Sequence, residues 1–436
     1  MSGALPIESL AAPPDEDVWI PSVCRVCSNC CGINVHRKNG VVVKIEGLPG
    51  SPHNDGRICA KGQAAIMSFY DPARPQRPLI RTNPQKGIGI DPKWRQASWE
   101  EALEVVSAQL AKVMADDPHK LVILRGVGEP DWVGSCVDAF AKTFGTPNFA
   151  GGPFFATHVD ACYLINGTMH VEIDVPRCRY LLLFGAQRGA AVNHDAMRAA
   201  REIADARRRG MKLVVIDPIC SPIASKADRW VPIRPGTDGA FILSMINVLV
   251  NELGCYDRDF LASRTNAPYL VLANGSYATD EASGKPLIWD KKTDSAVAFD
   301  QEGTQPALEG VFMVKGWLCR PAFELLKEQI KKYPPENVAT ITTIPAETIR
   351  RLAKEFGAAA RIGSTIMIDD QPLPYRPVAV NIYRGAGAHK HGTHTALAVQ
   401  ILNMTVGAFY VPGGHRGPNL VGPKGQWQPG ATKEGL

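Results

Sequence analysis

The chain has 436 residues, with 48 Lys and Arg against 43 Asp and Glu, a formal net charge of +5, and 45% hydrophobic residues. That length allows two or three domains with large cores, and so small a charge without a long basic run speaks against nucleic acid or a membrane surface as partner. Eleven cysteines, most of them singletons, suit a reducing compartment better than a disulfide framework.

The N-terminus up to Ile20 is acidic, carries Pro13-Pro14, and has neither a basic n-region nor an apolar h-region. No twin-arginine signal precedes the first cysteines, and the longest apolar run, Phe241 to Val250, is about half a membrane span. A cytoplasmic protein without direct membrane insertion is therefore expected, unless a partner carries it across a membrane.

Cys24-x2-Cys27-x3-Cys31, answered by Cys59 in Cys59-Ala-Lys-Gly62, is the first chemical signal. Three thiols in one loop and a fourth beyond a hairpin can surround a [4Fe-4S] cubane, whose irons take four thiolates. A structural zinc site more often uses two Cys-x2-Cys knuckles, and uncoordinated thiols are the remaining reading. Cys30 adjoins Cys31; Gly32, which could let backbone approach a cluster, favours Cys31 as the ligand.

Gly32 to Asn39 and Val41 to Glu46 read as a hairpin turned at Asn39-Gly40. Asp71 to Pro78 is a proline-rich linker. Ser98-Trp-Glu-Glu101 is a capping box before a helix with Ala102, Val106, Leu110 and Val113 at helical spacing. Leu121 to Leu124 reads as a buried parallel strand.

A second α/β unit begins at Arg179. Tyr180 to Gly185 and Met211 to Asp217 are strands flanking a helix from Asn193 to Arg209, and Trp230-Val-Pro-Ile follows. Pro235-Gly-Thr-Asp238 then caps an apolar helix to about Leu253. In such doubly wound sheets ligands bind beyond the carboxyl ends of the strands, where Gly185, Asp217 and Asp238 fall. A carboxylate after the second strand can accept from ribose hydroxyls, and Asp238 matches the paired N–H donors of a guanine edge. Each alone could equally be a cap or a turn residue.

Residues 272–318 read as a β-rich excursion. Helices resume at Ala322 to Lys332 and at Pro345 to Phe356, the second stopping at Gly357. Arg384 to His394 packs Gly385, Gly387 and Gly392 with His389, His391 and His394, a spacing that suits backbone wrapped around a ligand better than metal ligation. A helix from Thr395 to Val406 ends near Pro412-Gly-Gly414.

These residues together resemble the molybdopterin oxidoreductases, the formate dehydrogenase and dimethyl sulfoxide reductase superfamily. The resemblance rests on the four cysteines with Cys59-Ala-Lys-Gly62, Ser98-Trp-Glu-Glu-Ala102, Ile216-Asp-Pro218, Pro235-Gly-Thr-Asp238, Tyr256-Asp-Arg-Asp-Phe260 and Pro412-Gly-Gly414. Thr265 to Leu270 and Leu287-Ile-Trp-Asp290 resemble most the thiosulfate, polysulfide and arsenate reductase branch, near the phenylacetyl-CoA oxidoreductases. Formate dehydrogenases place His after the metal-binding residue, whereas Tyr163 follows Cys162 here.

The resemblance implies an α/β fold: a small N-terminal β-rich [4Fe-4S] domain at 20–75, then doubly wound α/β domains. It places one domain discontinuously at 76–156 and 345–414 and a dinucleotide-binding domain at 157–344, between a flexible tail at 1–19 and an irregular one at 415–436. It further implies one or two molybdopterin guanine dinucleotides carrying Mo or W, with Cys162 as the favoured protein ligand and His158 or Asp160 left open. Lys61 would lie between cluster and pterin. Gly185, Gln187, Asp217, Pro218, Gly236, Asp238, Gly385 and Gly387 would line the cofactor, and His158, His389 and His391 are candidate proton carriers. The implied activity is two-electron chemistry on a small-molecule substrate, with electrons passing through the cluster to an iron-sulfur partner subunit. The family's C-terminal domain is not in this chain, so a fragment, or a second polypeptide supplying it as in formylmethanofuran dehydrogenases, is expected. The rival expectations are an electron-transfer scaffold like the large iron-sulfur subunit of complex I and an inactive truncated product.

Overall fold

A computed structural model describes residues 15–27, 30–125, 131–151, 157–167, 171–188 and 196–418. They divide into two compact units, one holding the described residues up to 151 and the other nearly all the rest, up to 418. Among the described residues no helix is long and apolar enough to cross a membrane.

In the first unit, β1 (Asp17–Val23), β2 (Gly32–Lys38) and β3 (Val41–Gly47) form an antiparallel sheet in that order. The turn between β2 and β3 sits at Asn39 and Gly40, whose φ of 47° and 79° are the two positive values that a tight hairpin with right-handed strand twist requires. Asp17 to Trp19, expected in a flexible tail, pair instead with Lys38 to His36. A short helix α1 (Ala60–Gln63) follows Cys59. Ser98 caps α2 (Trp99–Asp116), its Oγ accepting from Glu101 N at 3.1 Å as the capping box foretells.

Strand β4 (Ile123–Arg125) runs parallel to β5 (Phe149–Gly151), with α3 (Asp131–Phe144) between them in the chain. The expected burial of this strand does not hold: Val122 and Leu124 are 57% and 78% exposed. The sheet has only these two strands among the described residues, and α2 buries none of its own side chains.

The second unit is built on a four-stranded parallel sheet in the order β9-β8-β7-β10, with β7 (Tyr180–Phe184), β8 (Lys212–Ile216), β9 (Arg229–Val231) and β10 (Val378–Ile382). Its continuous apolar runs bury both faces. Leu182, Phe184, Val214, Ile216, Val378 and Val380 point into one core, and Leu181, Leu183, Leu213, Val215 and Ala379 into the other. The first core also takes α6 (Asp238–Asn247), α7 (Ala346–Ala360) and α9 (Gly392–Thr405); the second takes Ile203 and Ala206 of α5 (Ala196–Arg208). Of the helix expected from Asn193, residues 193–195 lie outside the described residues.

Several boundaries differ from expectation for local reasons. Thr237, within the expected capping stretch, is the cap residue of α6, and the helix continues in a π-helical turn over Val248–Glu252. Gly357 does not stop α7; a Cβ there would lie 2.8 Å from Leu249 and 2.9 Å from Cys255 Sγ, so this glycine permits close packing, and Arg361 in the left-handed region ends the helix. The 272–318 excursion contains the hairpin of Leu287–Asp290 with Ser295–Ala298 and strands Phe312–Val314 and Trp317–Pro321, the last of which pairs with Leu270–Leu272. Residues 415–418, expected to be irregular, form β11 (His415–Pro418), antiparallel to β6 (Val171–Ile173). The rest of that tail lies outside the described residues.

The discontinuous grouping of 345–414 with 76–156 is not the one observed. Strand β10 pairs with β7 in one sheet, so 345–414 falls within the second unit. The helix pair that follows reinforces this: fully buried Asn403 of α9 donates to Val380 O at 3.0 Å and accepts from Val380 N at 2.9 Å, closing the free edge of β10.

Candidate functional site

The cysteine set lies in the first unit. Cys24 follows β1, Cys27 lies in the next turn, Cys31 leads into β2 and Cys59 precedes α1. The loop is closed by Cys24 N donating to Cys31 O at 2.8 Å. Asn54, 2% exposed, ties its base to the segment that carries Cys59: its amide donates to Gly32 O and Arg57 O at 2.9 and 2.6 Å and accepts from Gly32 N at 2.9 Å. No motif in the sequence marks Asn54.

Cys31 is buried, and its thiol is pushed up to about 11, first by burial and then by the neighbouring Cys24, Cys27, Cys59 and Cys30. A buried thiol that resists ionising is one whose thiolate a cationic centre would stabilise. Cys30 is exposed and accepts from Arg25 Nη1 at 2.9 Å, which leaves Cys31 as the inward member of the pair. Among the described residues no three His, Cys, Asp or Glu side chains are grouped closely enough for a single metal ion. The glycine next to the thiols is Gly62, where a Cβ would lie 3.4 Å from Cys24 Sγ; at Gly32 a Cβ would meet Ser51 Oγ at 2.9 Å, so Gly32 serves the loop fold. Lys61 is half-buried on α1.

The second site occupies the carboxyl edge of the parallel sheet. Strand order reverses between β7 and β10, and ligands bind at such switch points. Gly185, with φ of 51°, leaves β7 there; a Cβ on it would lie 2.5 Å from Ala386 N, so the backbone after β7 touches α8 (Arg384–Gly387) after β10. Gln187 is half-buried just beyond, whereas Pro218, after β8, is exposed.

Asp217 ends β8 and Asp238 begins α6; they are 5% and 4% exposed. Asp217 Oδ1 accepts from Ile219 N at 3.1 Å, an ordinary turn contact. Asp238 is held up at about 6 by burial, reinforced by the charge of Asp217, against a lowering from its own backbone N–H. Among the described residues no ion pair engages either carboxylate. Burial and the neighbouring carboxylate both disfavour charge on Asp238, so an N–H or O–H donor brought against it would stabilise the ionised form.

Gly236, with φ of 78°, lies under His389, whose ring a Cβ would approach to 3.9 Å. His389 Nε2 bonds to Ala386 O at 3.1 Å while its Nδ1 accepts from His391 N at 3.2 Å. This pattern suits the neutral Nε2–H tautomer, so a proton on Nδ1 would cost the second bond. The rings of His389, His391 and His394 lie 6.3 Å apart in succession.

Helix α4 (Thr157–Asn166) packs along α9. Its exposed Asp160 accepts from Thr393 Oγ1 at 3.2 Å, beside the histidine segment. Cys162 is 7% exposed and faces Gln400 Nε2 at 3.8 Å; burial pushes its thiol up to about 11, opposed by the Val171 N–H. His158 is on the first turn of α4, and its side chain lies outside the described residues. The structure thus gathers Gly185, Gln187, Asp217, Gly236, Asp238, Gly385, Gly387 and His389 at one sheet edge, with Asp160 and Cys162 on the adjoining helix pair. Sequence reading missed Gln400, a lone amide in an apolar helix.

The chain matches the molybdopterin oxidoreductase Fe4S4 domain over residues 17–71 and the molybdopterin oxidoreductase family over residues 74–420. It is 35% identical over 423 residues to a sulfite dehydrogenase subunit from Allochromatium vinosum, covering 91% of this chain and 43% of that protein. It is 28% identical to ArrA, the molybdopterin-containing subunit of the arsenate respiratory reductase of a Shewanella species, over 91% of this chain and 41% of that protein. With PhsA, the molybdopterin-containing subunit of the thiosulfate reductase of Salmonella typhimurium, it shares 30% identity, over 82% of this chain and 39% of that protein. The fold is similar to that of acetylene hydratase from Pelobacter acetylenicus, with a TM-score of 0.61 at 22% identity over 89% of this chain and 43% of that one. The chain therefore spans less than half the length of these relatives. With family matches that run from the cysteine loop through the whole parallel sheet, the chain belongs to the molybdopterin oxidoreductase family.

Proposed function

We propose that the chain is the catalytic subunit, or the N-terminal part of one, of a molybdenum or tungsten bis-pterin oxidoreductase that passes electrons through a [4Fe-4S] cluster to an iron-sulfur partner. The observation that carries this reading is the buried Asp217 and Asp238 pair at the carboxyl edge of the sheet, in the same chain as the four-thiol loop. When bound, the metal and its pterins supply the two-electron chemistry and the cluster the one-electron relay.

The chain's own residues hold and orient. Cys24, Cys27, Cys31 and Cys59 give thiolates to the irons, and the amide of Asn54 keeps both ends of that loop in register. Asp217 and Asp238 accept from the hydroxyl and N–H donors of a guanosine, which favours the dinucleotide form of the pterin. Gly185 and Gly385 let the backbones after β7 and β10 touch at the switch point, since a Cβ on either would clash with the other segment. Cys162, the buried thiol on α4, is the proposed protein ligand of the metal, since a soft thiolate suits a sulfur-rich shell. Asp160, hydrogen-bonded to Thr393 beside exposed His391, is placed to move protons at the outer end of that helix pair; His389 holds the segment's shape.

Sulfur or arsenic oxyanions are the proposed substrate class, because the relatives named above act on sulfite, arsenate and thiosulfate. The count of eleven cysteines, most of them singletons in the sequence, supports a cytoplasmic location. Acid release of nucleotide from the purified enzyme tests the cofactor assignment. Guanosine monophosphate matching the metal content is expected; pterin without any nucleotide would remove the role given to Asp217 and Asp238.

A further inference from the structure

Helix α9 is apolar where it faces the interior. Ala396, Val399 and Leu402 are fully buried, and among them Gln400 is 3% exposed. Its Nε2 donates to Cys162 Sγ at 3.8 Å, within reach of a sulfur acceptor. Its Oε1 is buried, and no described group donates to it. An amide satisfied at one end only weakens a fold relative to a leucine or methionine of similar shape, which would leave no atom unpaired. Folding alone therefore does not account for glutamine at this position, and its one side-chain bond points at the thiol.

That bond gains strength when the sulfur carries charge. A neutral thiol is a weak acceptor, whereas a thiolate makes a charge-assisted hydrogen bond. Residues that hydrogen-bond a metal's ligands fix their direction and tune the metal, and hydrogen bonds to thiolate sulfur move reduction potentials. We infer that Gln400 is a positioning residue for Cys162: its carboxamide N–H orients the sulfur toward the metal and draws charge away from it. This rests on Cys162 being the metal's protein ligand.

The test uses the enzyme as isolated with its metal in place, and reads the metal's reduction potential and paramagnetic spectrum. Gln400→Leu keeps the shape and removes the donor. More charge on sulfur then favours the oxidised metal; at the wild-type midpoint the oxidised-to-reduced ratio rises about tenfold, which is 59 mV for one electron, and the spectrum shifts. Gln400→Met repeats the test should leucine not be accommodated. An unchanged potential and spectrum in these variants, with both altered in Cys162→Ser, would make Gln400 a packing residue and overturn the inference. A metal spectrum unaltered in Cys162→Ser would remove the ligand assignment itself, and the inference with it.

Discussion

Asp238→Asn in protein stripped of its cofactor is the most informative single change. In the folded chain Asp238 is held at about 6, against an ordinary value of 3.8, by burial and by the charge of Asp217. A carboxyl whose folded pKa is raised binds more protons folded than unfolded, so stability falls as pH rises from about 4 to about 6 and stays reduced above that. The cost at neutral pH is on the order of 3 kcal/mol, at 1.36 kcal/mol per unit. Asparagine removes the charge and keeps the shape. Denaturant unfolding at pH 8 should therefore show Asp238→Asn more stable than wild type by about 1 to 3 kcal/mol, with the difference shrinking toward zero by about pH 4. With the cofactor bound the order should reverse, because the variant loses an acceptor for the ligand. Equal stability of variant and wild type at pH 8 would refute the strained carboxylate pair.

Changes in three other places probe the remaining parts. Cys31→Ala should lose iron and the cluster's visible absorption, whereas Cys30→Ala, which removes an exposed thiol paired with Arg25, should keep both. Asn54→Ala breaks three hydrogen bonds to the Gly32 and Arg57 backbone and should cost about 2 kcal/mol or more, read as faster bleaching of the cluster under chelator. Arg376 bonds buried Asp257 through Nε at 2.8 Å, so Arg376→Leu leaves a buried charge unpaired and should cost about 3 to 5 kcal/mol by denaturant unfolding, while adding Asp257→Asn should restore part of it.

What could be read from the sequence was set by how local the signal is. The Cys24-x2-Cys27-x3-Cys31 spacing, the Asn39-Gly40 hairpin, the Ser98 capping box and the apolar runs of β7 and β8 each carry their information within a dozen residues. Asp217 and Asp238 were legible because a strand end and a helix start place them at the same sheet edge. The pairing of β10 with β7 was not, because Val378 and Tyr180 are joined only by the fold. Without it, 345–414 looked like part of another domain. Gln400 and Asn54 escaped for a different reason: each is a single amide whose meaning lies in a partner distant in sequence, Cys162 for one and the Gly32 backbone for the other. Gly357 misled because a glycine that stops a helix and one that lets two segments touch look the same in the sequence.

The most direct test of the oxidoreductase reading is the iron, molybdenum, tungsten and pterin content of the anaerobically purified protein. About four irons with one molybdenum or tungsten and bound pterin per chain are expected, from a four-thiolate cluster and one metal site. Four irons with neither metal nor pterin, in protein isolated with its native partners, would contradict it and leave an electron-transfer protein.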